Sequence, residues 1–303
     1  MSQKQKTVAT IVVTYNRKEM LKECINALLA QSYKNNEIYI VDNASTDGTE
    51  KYIKDLIDNE KVFYFNTGKN LGGAGGFNYG VREALKRKVD YAWLMDDDSI
   101  AEDKNALKSL VDKAAFLKDD FSFLSSIVKW TDGKMCKMNR QVTQPVLYAD
   151  PNYLANGLIP CIKGTFVGFF ANMKIVKKAG LPIKDFFIYS DDMEYSQRLS
   201  LIKPAYVDTN SVLLHKTKSN NGATANIAPI EKIQMSFYAH RNEEYNMRHY
   251  TDKRDRILDY RNKYLFYIYI ILRTAKDHRM QRCWYYTKGK IAGKFFNPKI
   301  EME

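Results

Sequence analysis

Four short apolar runs that alternate with helical patterns constrain the fold of this 303-residue chain more than any other feature. The runs cover residues 8–13, 37–41, 62–65 and 91–95, and β-branched and aromatic side chains dominate them. Between the first two runs, apolar residues recur at helical spacing over residues 20–29. This alternation predicts an α/β fold with a mostly parallel sheet and helices on both of its faces.

Polar residues follow the first two predicted strands. Thr14, Asn16 and Arg17 come after the first strand, and Asp42 ends the second. Because the carboxyl ends of parallel strands meet at one edge, where open α/β sheets bind ligands, these residues predict a nucleotide site. Asp42 could accept a hydrogen bond from a ribose hydroxyl or a base, and Arg17 could bind phosphate. An ordinary turn is the alternative for Asp42.

The third predicted strand leads into a glycine-rich stretch, residues 70–76, that begins with Asn70 and precedes a helix. Glycines permit close approach of the backbone, and a helix start offers free N–H groups to an anion. The stretch is neither a P-loop nor a dinucleotide-binding turn, because it follows the third strand and lacks the Lys-Ser/Thr ending. The alternative is that its glycines serve tight packing of the helix against the sheet.

The fourth predicted strand ends in three adjacent carboxylates, Asp96, Asp97 and Asp98. Like charges repel, so burial of this group requires a cation. Carboxylate oxygens suit hard divalent ions such as Mn²⁺ or Mg²⁺. The alternative is a solvated acidic turn that also caps the following helix, since residues 98–102 are typical of a helix start.

Further candidates lie later in the chain. Asp191 and Asp192 open a predicted helix, and either carboxylate could act as a general base or merely cap the helix, while Glu194 could cap it or orient a partner. His215 follows an apolar run and could complete a metal shell, although a lone histidine is more often a packed residue. Residues 216–222 form a basic loop that could close over a diphosphate or be an ordinary solvated loop.

The composition points to an anionic partner. The formal net charge is +12, which favours nucleotide phosphates, a phospholipid surface or nucleic acid. The four cysteines form no CxxC pair, which argues against a structural zinc site and a dense disulfide framework. No signal peptide is visible, and the longest apolar run, residues 264–272, is too short to span a bilayer. We therefore expect a cytoplasmic protein, free or peripheral on the inner face of the cell membrane.

The C-terminal segment is predicted to be helical, basic and rich in tyrosine. Basic residues interleaved with aromatic ones suit an anionic membrane interface, whereas a helical cap on the catalytic domain or a dimer contact is the alternative. Nucleic acid explains the charge less well, because no recognisable module accompanies it. We expect two regions: residues 1–225, which bind the nucleotide and carry the catalytic groups, and a helical extension, residues 226–303.

Taken together, these stretches resemble family 2 inverting glycosyltransferases of the GT-A fold. The resemblance covers residues 8–222 and rests on the motifs that contain Thr14 to Arg17, Asp42, Asn70, Asp96 to Asp98, Asp191 to Glu194 and His215. It implies that Asp96 and Asp98 form a DxD motif around Mn²⁺ or Mg²⁺, with His215 as third ligand. It also implies that Asp42 contacts the nucleotide and that Asp192, or else Asp191, deprotonates the acceptor hydroxyl. Thr14, Asn16, Arg17, Asn70 and Asp96 are the further candidates for binding the nucleotide.

The donor is predicted from finer similarities. The glycine-rich stretch, the three carboxylates and residues 237–242 are similar to galactofuranosyltransferases that use UDP-galactofuranose. Rhamnosyltransferases that use dTDP-rhamnose share the glycine-rich stretch and are the alternative. Phe169 and Phe170 stand where the galactofuranosyl pattern has aromatic residues lining the acceptor site, although core packing explains them better. The acceptor would be a glycan or lipid-linked glycan of a capsule, O-antigen or cell wall; the alternative from another class is a non-catalytic assembly scaffold. A homo-oligomer is a further possibility.

Overall fold

A computed structural model describes residues 5–145, 149–220, 230–251 and 253–302. This part of the chain forms one sheet of ten strands flanked by helices. The strands are β1 (Val8–Thr14), β2 (Asn36–Asp42), β3 (Val62–Asn66), β4 (Tyr91–Asp96), β5 (Ser99–Ile100), β6 (Phe123–Trp130), β7 (Val142–Thr143), β8 (Leu158–Lys163), β9 (Phe169–Asn172) and β10 (Ala205–His215).

The helices alternate with the strands in the first half of the chain and dominate its end. They are α1 (Lys18–Leu29), α2 (Thr49–Tyr52), α3 (Lys54–Ile57), α4 (Gly72–Lys86), α5 (Ala106–Phe116), α6 (Pro151–Ala155), α7 (Met173–Ala179), α8 (Asp191–Ser200), α9 (Ser236–Tyr250), α10 (Lys253–Thr274) and α11 (Arg279–Phe295). Two 3₁₀ turns cover Lys184–Phe186 and Ile230–Met235.

The sheet has the order β3-β2-β1-β4-β9-β6-β10-β8-β7, and β5 pairs with one end of β10. Strands β3, β2, β1 and β4 run parallel, as predicted, and β10 runs parallel to β6. Strand β9 lies antiparallel between β4 and β6. Since Thr14 is level with Asp42, and Val13 with Asp96, the polar strand ends meet at one edge of the sheet.

Burial follows the alternation of side chains along the strands. In β1, Val8 and Val12 face one layer of helices, whereas Ala9 and Ile11 face the other, and all four are fully buried. Helices α1, α3 and α5 cover the first face, and α4, α7 and α8 cover the second. This two-sided burial makes the central strands a rigid support for the groups at their ends.

The helical segment between β2 and β3 consists of two short helices, α2 and α3. One alternative drawn from the sequence needs correction. No helix begins at residues 98–102: Ser99 and Ile100 form β5, which pairs with β10, and the next helix starts at Ala106. Phe169 and Phe170 are fully buried in the centre of the sheet, so the core explanation holds for them.

The C-terminal helices pack on one another, and the end of the chain packs on the α/β part. Helix α11 lies against α9, and the close approach is possible because Gly289 and Gly293 have no side chain: a Cβ on Gly293 would lie 2.5 Å from Glu244 Cβ. The chain after α11 returns to the first domain, where Glu301 pairs with Arg82 and Lys184. In the described part of the chain, no helix is long and apolar enough to cross a membrane. The predicted boundary at residues 225–226 lies outside the described residues.

Candidate active site

The structure brings Asp96, Asp98 and His215 together, although 117 positions separate the last two. The cause is the pairing of β5 with β10, which sets His215 opposite Ser99. One ligand atom from each of the three residues lies within 4.8 Å of the other two. His215 Nε2 is 2.9 Å from Asp98 Oδ1, and both side chains are buried. Asp96, Asp98 and His215 therefore form a compact cluster that could hold a metal ion.

The imidazole of His215 is oriented by a residue that sequence reasoning missed. Its Nδ1 lies 2.6 Å from Asn139 Oδ1 and 3.8 Å from Cys136 Sγ. Because an amide oxygen only accepts, Nδ1 donates to Asn139, and Nε2 is left to face the carboxylates. Burial lowers the pKa of His215, but hydrogen bonds with Asp98 and Cys136 and the charges of Asp98 and Asp96 outweigh it and raise the pKa to about 10.

Two cationic groups, protonated His215 and Arg17, hold the acidic group in place. Arg17 lies 2.8 Å from Asp98 Oδ2 and 3.1 Å from Asp97 Oδ1, and Thr14 donates to Asp97 Oδ2 at 2.7 Å. Burial raises the pKa of Asp98, but its bond to His215 and the charge of Arg17 lower it below the usual value. Burial raises the pKa of Asp97 to about 7, against the effect of Arg17.

The surroundings of Asp96 disfavour its ionised form. Burial, then the charge of Asp98, raises its pKa to about 6. Asp192 also contributes to this increase, and Asp96 in turn raises the pKa of Asp191. Asp96 at the end of β4 therefore interacts electrostatically with both acids of α8.

Residues 14–17 and Asp42 lie together at the strand ends, as predicted. Asp42 is almost fully buried and accepts from Ser45 N at 2.7 Å and from Tyr64 Oη at 2.5 Å. Asn16 has a positive φ of 54° and accepts from Thr46 N at 2.7 Å, which links the loops after β1 and β2. Asp42 and Asn16 therefore hold the loops at this edge of the sheet together.

The glycine-rich stretch serves packing in this structure. Asn70 Oδ1 accepts from Gly72 N at 2.8 Å, and Ala74 N donates to Phe187 O at 3.1 Å, so these two N–H groups at the start of α4 are already engaged. A Cβ on Gly76 would lie 2.6 Å from Val13 Cγ1. The explanation by close helix–sheet contact is the one that these distances support.

Helix α8 presents Asp191 and Asp192 in its first turn. Burial raises the pKa of Asp192 to about 6, and burial together with the charge of Asp192 raises that of Asp191 well above its usual value. Glu194 has a structural role: it forms a buried bidentate ion pair with Arg198, with both distances 2.9 Å, and accepts from Tyr250 Oη at 2.7 Å.

The basic loop after β10 is described only in part. Lys216 pairs with Glu23 at 2.9 Å and thus fastens the start of the loop to α1. Residues 221–229, which include the predicted loop end at residue 222, lie outside the described residues.

A mostly parallel sheet with carboxylates and an imidazole clustered at the ends of its strands defines the class: an α/β protein with a candidate metal site at one edge of the sheet. The profile of Glycosyl transferase family 2 matches residues 9–174, more than half of the chain. The chain therefore belongs to glycosyl transferase family 2.

Curated relatives narrow the similarity further. The chain is 28% identical over 202 residues to "Galactofuranosyltransferase GlfT1" of Mycolicibacterium smegmatis, which covers 63% of this chain and 65% of the relative. It is 27% identical over 213 residues to the protein of the same name from Mycobacterium tuberculosis, covering 64% of each. The matched region thus spans a little under two thirds of the length of these relatives.

Solved structures show the same fold at low sequence identity. S. aureus TarS residues 1–349 in complex with UDP-GlcNAc has a TM-score of 0.54 at 13% identity, covering 95% of this chain and 92% of that one. A mannosyltransferase from Pyrobaculum calidifontis, in complex with GDP-Man and Mn²⁺, has a TM-score of 0.55 at 13% identity, covering 95% and 74%. These matches confirm the predicted GT-A-type architecture.

Proposed function

We propose that this protein is a metal-dependent inverting glycosyltransferase that takes galactofuranose from UDP-galactofuranose. The observation that carries the proposal is the meeting of Asp96, Asp98 and His215 at the ligand-binding edge of the sheet. Two carboxylates and one imidazole are a donor set that suits Mn²⁺, and Mg²⁺ less well because of the nitrogen ligand. A divalent ion bound there would neutralise the charge of the departing diphosphate as a Lewis acid.

The neighbouring residues have separate tasks in this proposal. Asp42 and Asn16, with Thr14 behind them, hold the nucleoside against the ends of β1 and β2, and Asn70 completes this binding site at the start of α4. Arg17, which pairs with two of the acids and is 47% exposed at its side chain, can turn to a phosphate when the donor arrives. Asn139 keeps His215 Nε2 directed at the metal position.

The acceptor hydroxyl would lose its proton to Asp192, with Asp191 as the second candidate. A base that must be ionised near neutral pH, yet hold a proton afterwards, works best with a pKa close to the pH at which it acts. Asp192, with a pKa of about 6, meets this condition, whereas the pKa of Asp191 is raised well above the usual value by burial and by the charge of Asp192. Attack from the face opposite the diphosphate inverts the sugar in one displacement.

The preference for galactofuranose rests on the curated relatives, which carry that name and align with about two thirds of this chain. dTDP-rhamnose is the alternative donor, and a glycan or lipid-linked glycan of the cell surface is the proposed acceptor. Thermal shift with Mn²⁺ and a panel of UDP-galactofuranose, UDP-galactopyranose and dTDP-rhamnose tests the donor, because a ligand of the native state raises Tm. Stabilisation by dTDP-rhamnose alone would reassign the donor.

The base is tested by replacement with an isosteric amide. Asp192→Asn should lower turnover by about 100-fold to 10,000-fold, because the amide cannot accept the proton of the acceptor hydroxyl, while UDP binding with Mn²⁺ stays intact. Asp185→Asn, which changes an exposed carboxylate just before the same helix, is the matched control and should behave like the wild type. A fall with Asp191→Asn and none with Asp192→Asn would exchange the two roles.

We also propose that residues 1–225 form the catalytic region and that the C-terminal helices rest on an anionic membrane. Helices α10 and α11 carry exposed apolar side chains at helical spacing: Leu265, Phe266, Tyr269, Leu272, Met280, Trp284, Ile291 and Phe295. Exposed basic residues lie among them: Arg273, Lys276, Arg279 and Lys288. Two basic residues of the segment do not contribute, since Arg282 and Lys290 are buried and paired with Asp277 and Glu243.

Binding to vesicles tests this surface. The protein should sediment with phosphatidylglycerol vesicles and much less with phosphatidylcholine vesicles, because cationic and apolar residues act together. Trp284→Glu should weaken binding. Leu201→Glu, at an apolar residue of similar exposure (71%, against 62% for Trp284), should not. If the protein binds neither kind of vesicle and forms dimers through Trp284, the membrane proposal is wrong and the surface binds a second copy of the chain.

A further inference from the structure

The segment that precedes the two acids of α8 has an unusual backbone. Phe187, Tyr189 and Ser190 have φ values of 64°, 69° and 62°, in the left-handed region that side-chain-bearing residues rarely occupy. Three such residues in four positions persist only where the surroundings hold them. We call residues 186–190 the base-bearing loop, because Asp191 and Asp192 follow it directly.

One buried side chain of α9 binds this loop along its length. Asn242 is fully buried, and its Nδ2 lies 3.0 Å from Phe186 O, 3.0 Å from Ile188 O and 2.8 Å from Tyr189 O. The amide has two hydrogens, which these three carbonyls share. Asn242 Oδ1 in turn accepts from the guanidinium of Arg241, whose Nη2 also reaches Phe186 O.

The same face of α9 continues the contact into α8. Asn246 Nδ2 donates to Ser190 O at 3.1 Å, and Tyr250 Oη donates to Glu194 at 2.7 Å. Residues 242, 246 and 250 are four apart, so they lie in one row along a helix. Three successive turns of α9 therefore bind three successive parts of the segment that presents the acids.

The opposite side of the loop rests on the start of α4. Phe187 O accepts from Ala74 N at 3.1 Å, and a Cβ on Gly72 would lie 2.1 Å from this oxygen. Gly72 also has a positive φ of 72°. Only glycine lets the loop approach this closely, so the glycine-rich stretch supplies the second surface that holds the loop.

We infer that α9 and the start of α4 form a clamp that sets the position of Asp191 and Asp192, with Asn242, Asn246 and Tyr250 as positioning residues. The C-terminal helices are then part of the catalytic apparatus as well as a surface for attachment. The inference rests on the proposed function in one respect only, namely that one of these two acids is the general base. Without the clamp, the loop would leave its left-handed backbone, and the acids would move away from Asp96.

The row on α9 can be separated from the general packing of that helix. Glu244, also buried, faces α11, where it lies 3.6 Å from Lys290 and packs against Gly293. A change there disturbs the docking of α9 without touching the loop. Glu244→Gln is therefore the matched control for changes at Asn242.

The experiment combines hydrogen exchange with turnover. Asn242→Asp keeps the shape and the bond to Arg241 but removes both N–H donors, so exchange in residues 186–195 should accelerate at least about tenfold. Hydrolysis of UDP-galactofuranose with Mn²⁺, measured as UDP release with water as acceptor, should fall about 100-fold in kcat, because a shift of 1 Å at a reacting group costs about that much. KM for the donor and the affinity for UDP should change less than twofold.

Milder changes guard against loss of folding. Asn246→Ala and Tyr250→Phe each remove one hydrogen bond and should give smaller shifts in the same direction, with Glu244→Gln unchanged in kcat. The clamp is overturned if these variants leave both exchange and kcat as in the wild type, or if Glu244→Gln loses as much kcat as they do. If the wild type does not hydrolyse UDP-galactofuranose, the proposed function fails. Hydrogen exchange in residues 186–195 still tests whether the clamp holds the loop.

Discussion

Replacement of Gly80 by alanine tests whether the glycine-rich helix exists for packing or for binding an anion. Gly80 lies inside α4, where the helix crosses β1 and β2, and a Cβ there would lie 2.4 Å from Ile11 Cγ2 and 3.2 Å from Val41 Cγ2. Gly73, in the first turn of the same helix, has nothing within 4 Å of its Cβ position. The same replacement, glycine by alanine, is thus made at one crowded and one open position of the same helix.

The two variants should change the free energy of unfolding in opposite directions. Alanine is favoured over glycine in a helix by about 1 kcal/mol, and Gly73→Ala should gain up to that amount. At Gly80 the same gain is opposed by overpacking, which costs about 1–3 kcal/mol, and a separation of 2.4 Å places it at the upper end. We expect a net loss of about 1–2 kcal/mol, and hence a gap of about 2–3 kcal/mol between the variants.

Scanning calorimetry with and without UDP and Mn²⁺ measures both the stability of each variant and its binding of UDP. For a chain of this length, the gap corresponds to a difference in Tm of about 3–5 °C, with Gly80→Ala lower. Both variants should bind UDP as the wild type does. Equal Tm values would refute the packing explanation, and a loss of UDP binding in Gly73→Ala alone would favour the anion-binding one.

The remaining predictions concern the charged groups. Raising the pH from about 6 to 10 should lower Tm of the metal-free protein, and Mn²⁺ should restore it. His215, with a pKa raised to about 10, stabilises the fold when protonated and loses that contribution as the pH rises towards 10. Asp96, with a pKa of about 6, is already ionised over most of this range and adds little to the change. Since metal ligands must be deprotonated, affinity for Mn²⁺ by calorimetry should fall as the pH is lowered. Arg198→Ala should cost about 3–5 kcal/mol in urea unfolding, because it leaves the charge of Glu194 buried without its partner; a cost below 1 kcal/mol would contradict this. Asn139→Ala should weaken Mn²⁺ binding by about 10–100-fold with little change in Tm, and unchanged binding would show that His215 needs no orientation.

Local sequence patterns predicted the strand ends well, because the signal for them lies in neighbouring residues. Strand ends at Asp42 and Asp96 were found because apolar runs stop there, and the parallel order of the first four strands places such ends on one edge. Asn139 could not be found in this way. It lies between predicted elements, in a stretch with no clear period, and its role exists only through its contact with His215.

The sequence by itself determined the α/β class, the acids at the strand ends and the glycine-rich start of α4, since periodicity and turn chemistry act over a few residues. Only the tertiary structure decided that β9 enters the sheet antiparallel, that β5 brings His215 to Asp98, and that α9 holds the base-bearing loop. Those contacts join residues far apart in the chain, such as Asn242 and Tyr189, and depend on how whole helices and strands pack. No local pattern encodes them.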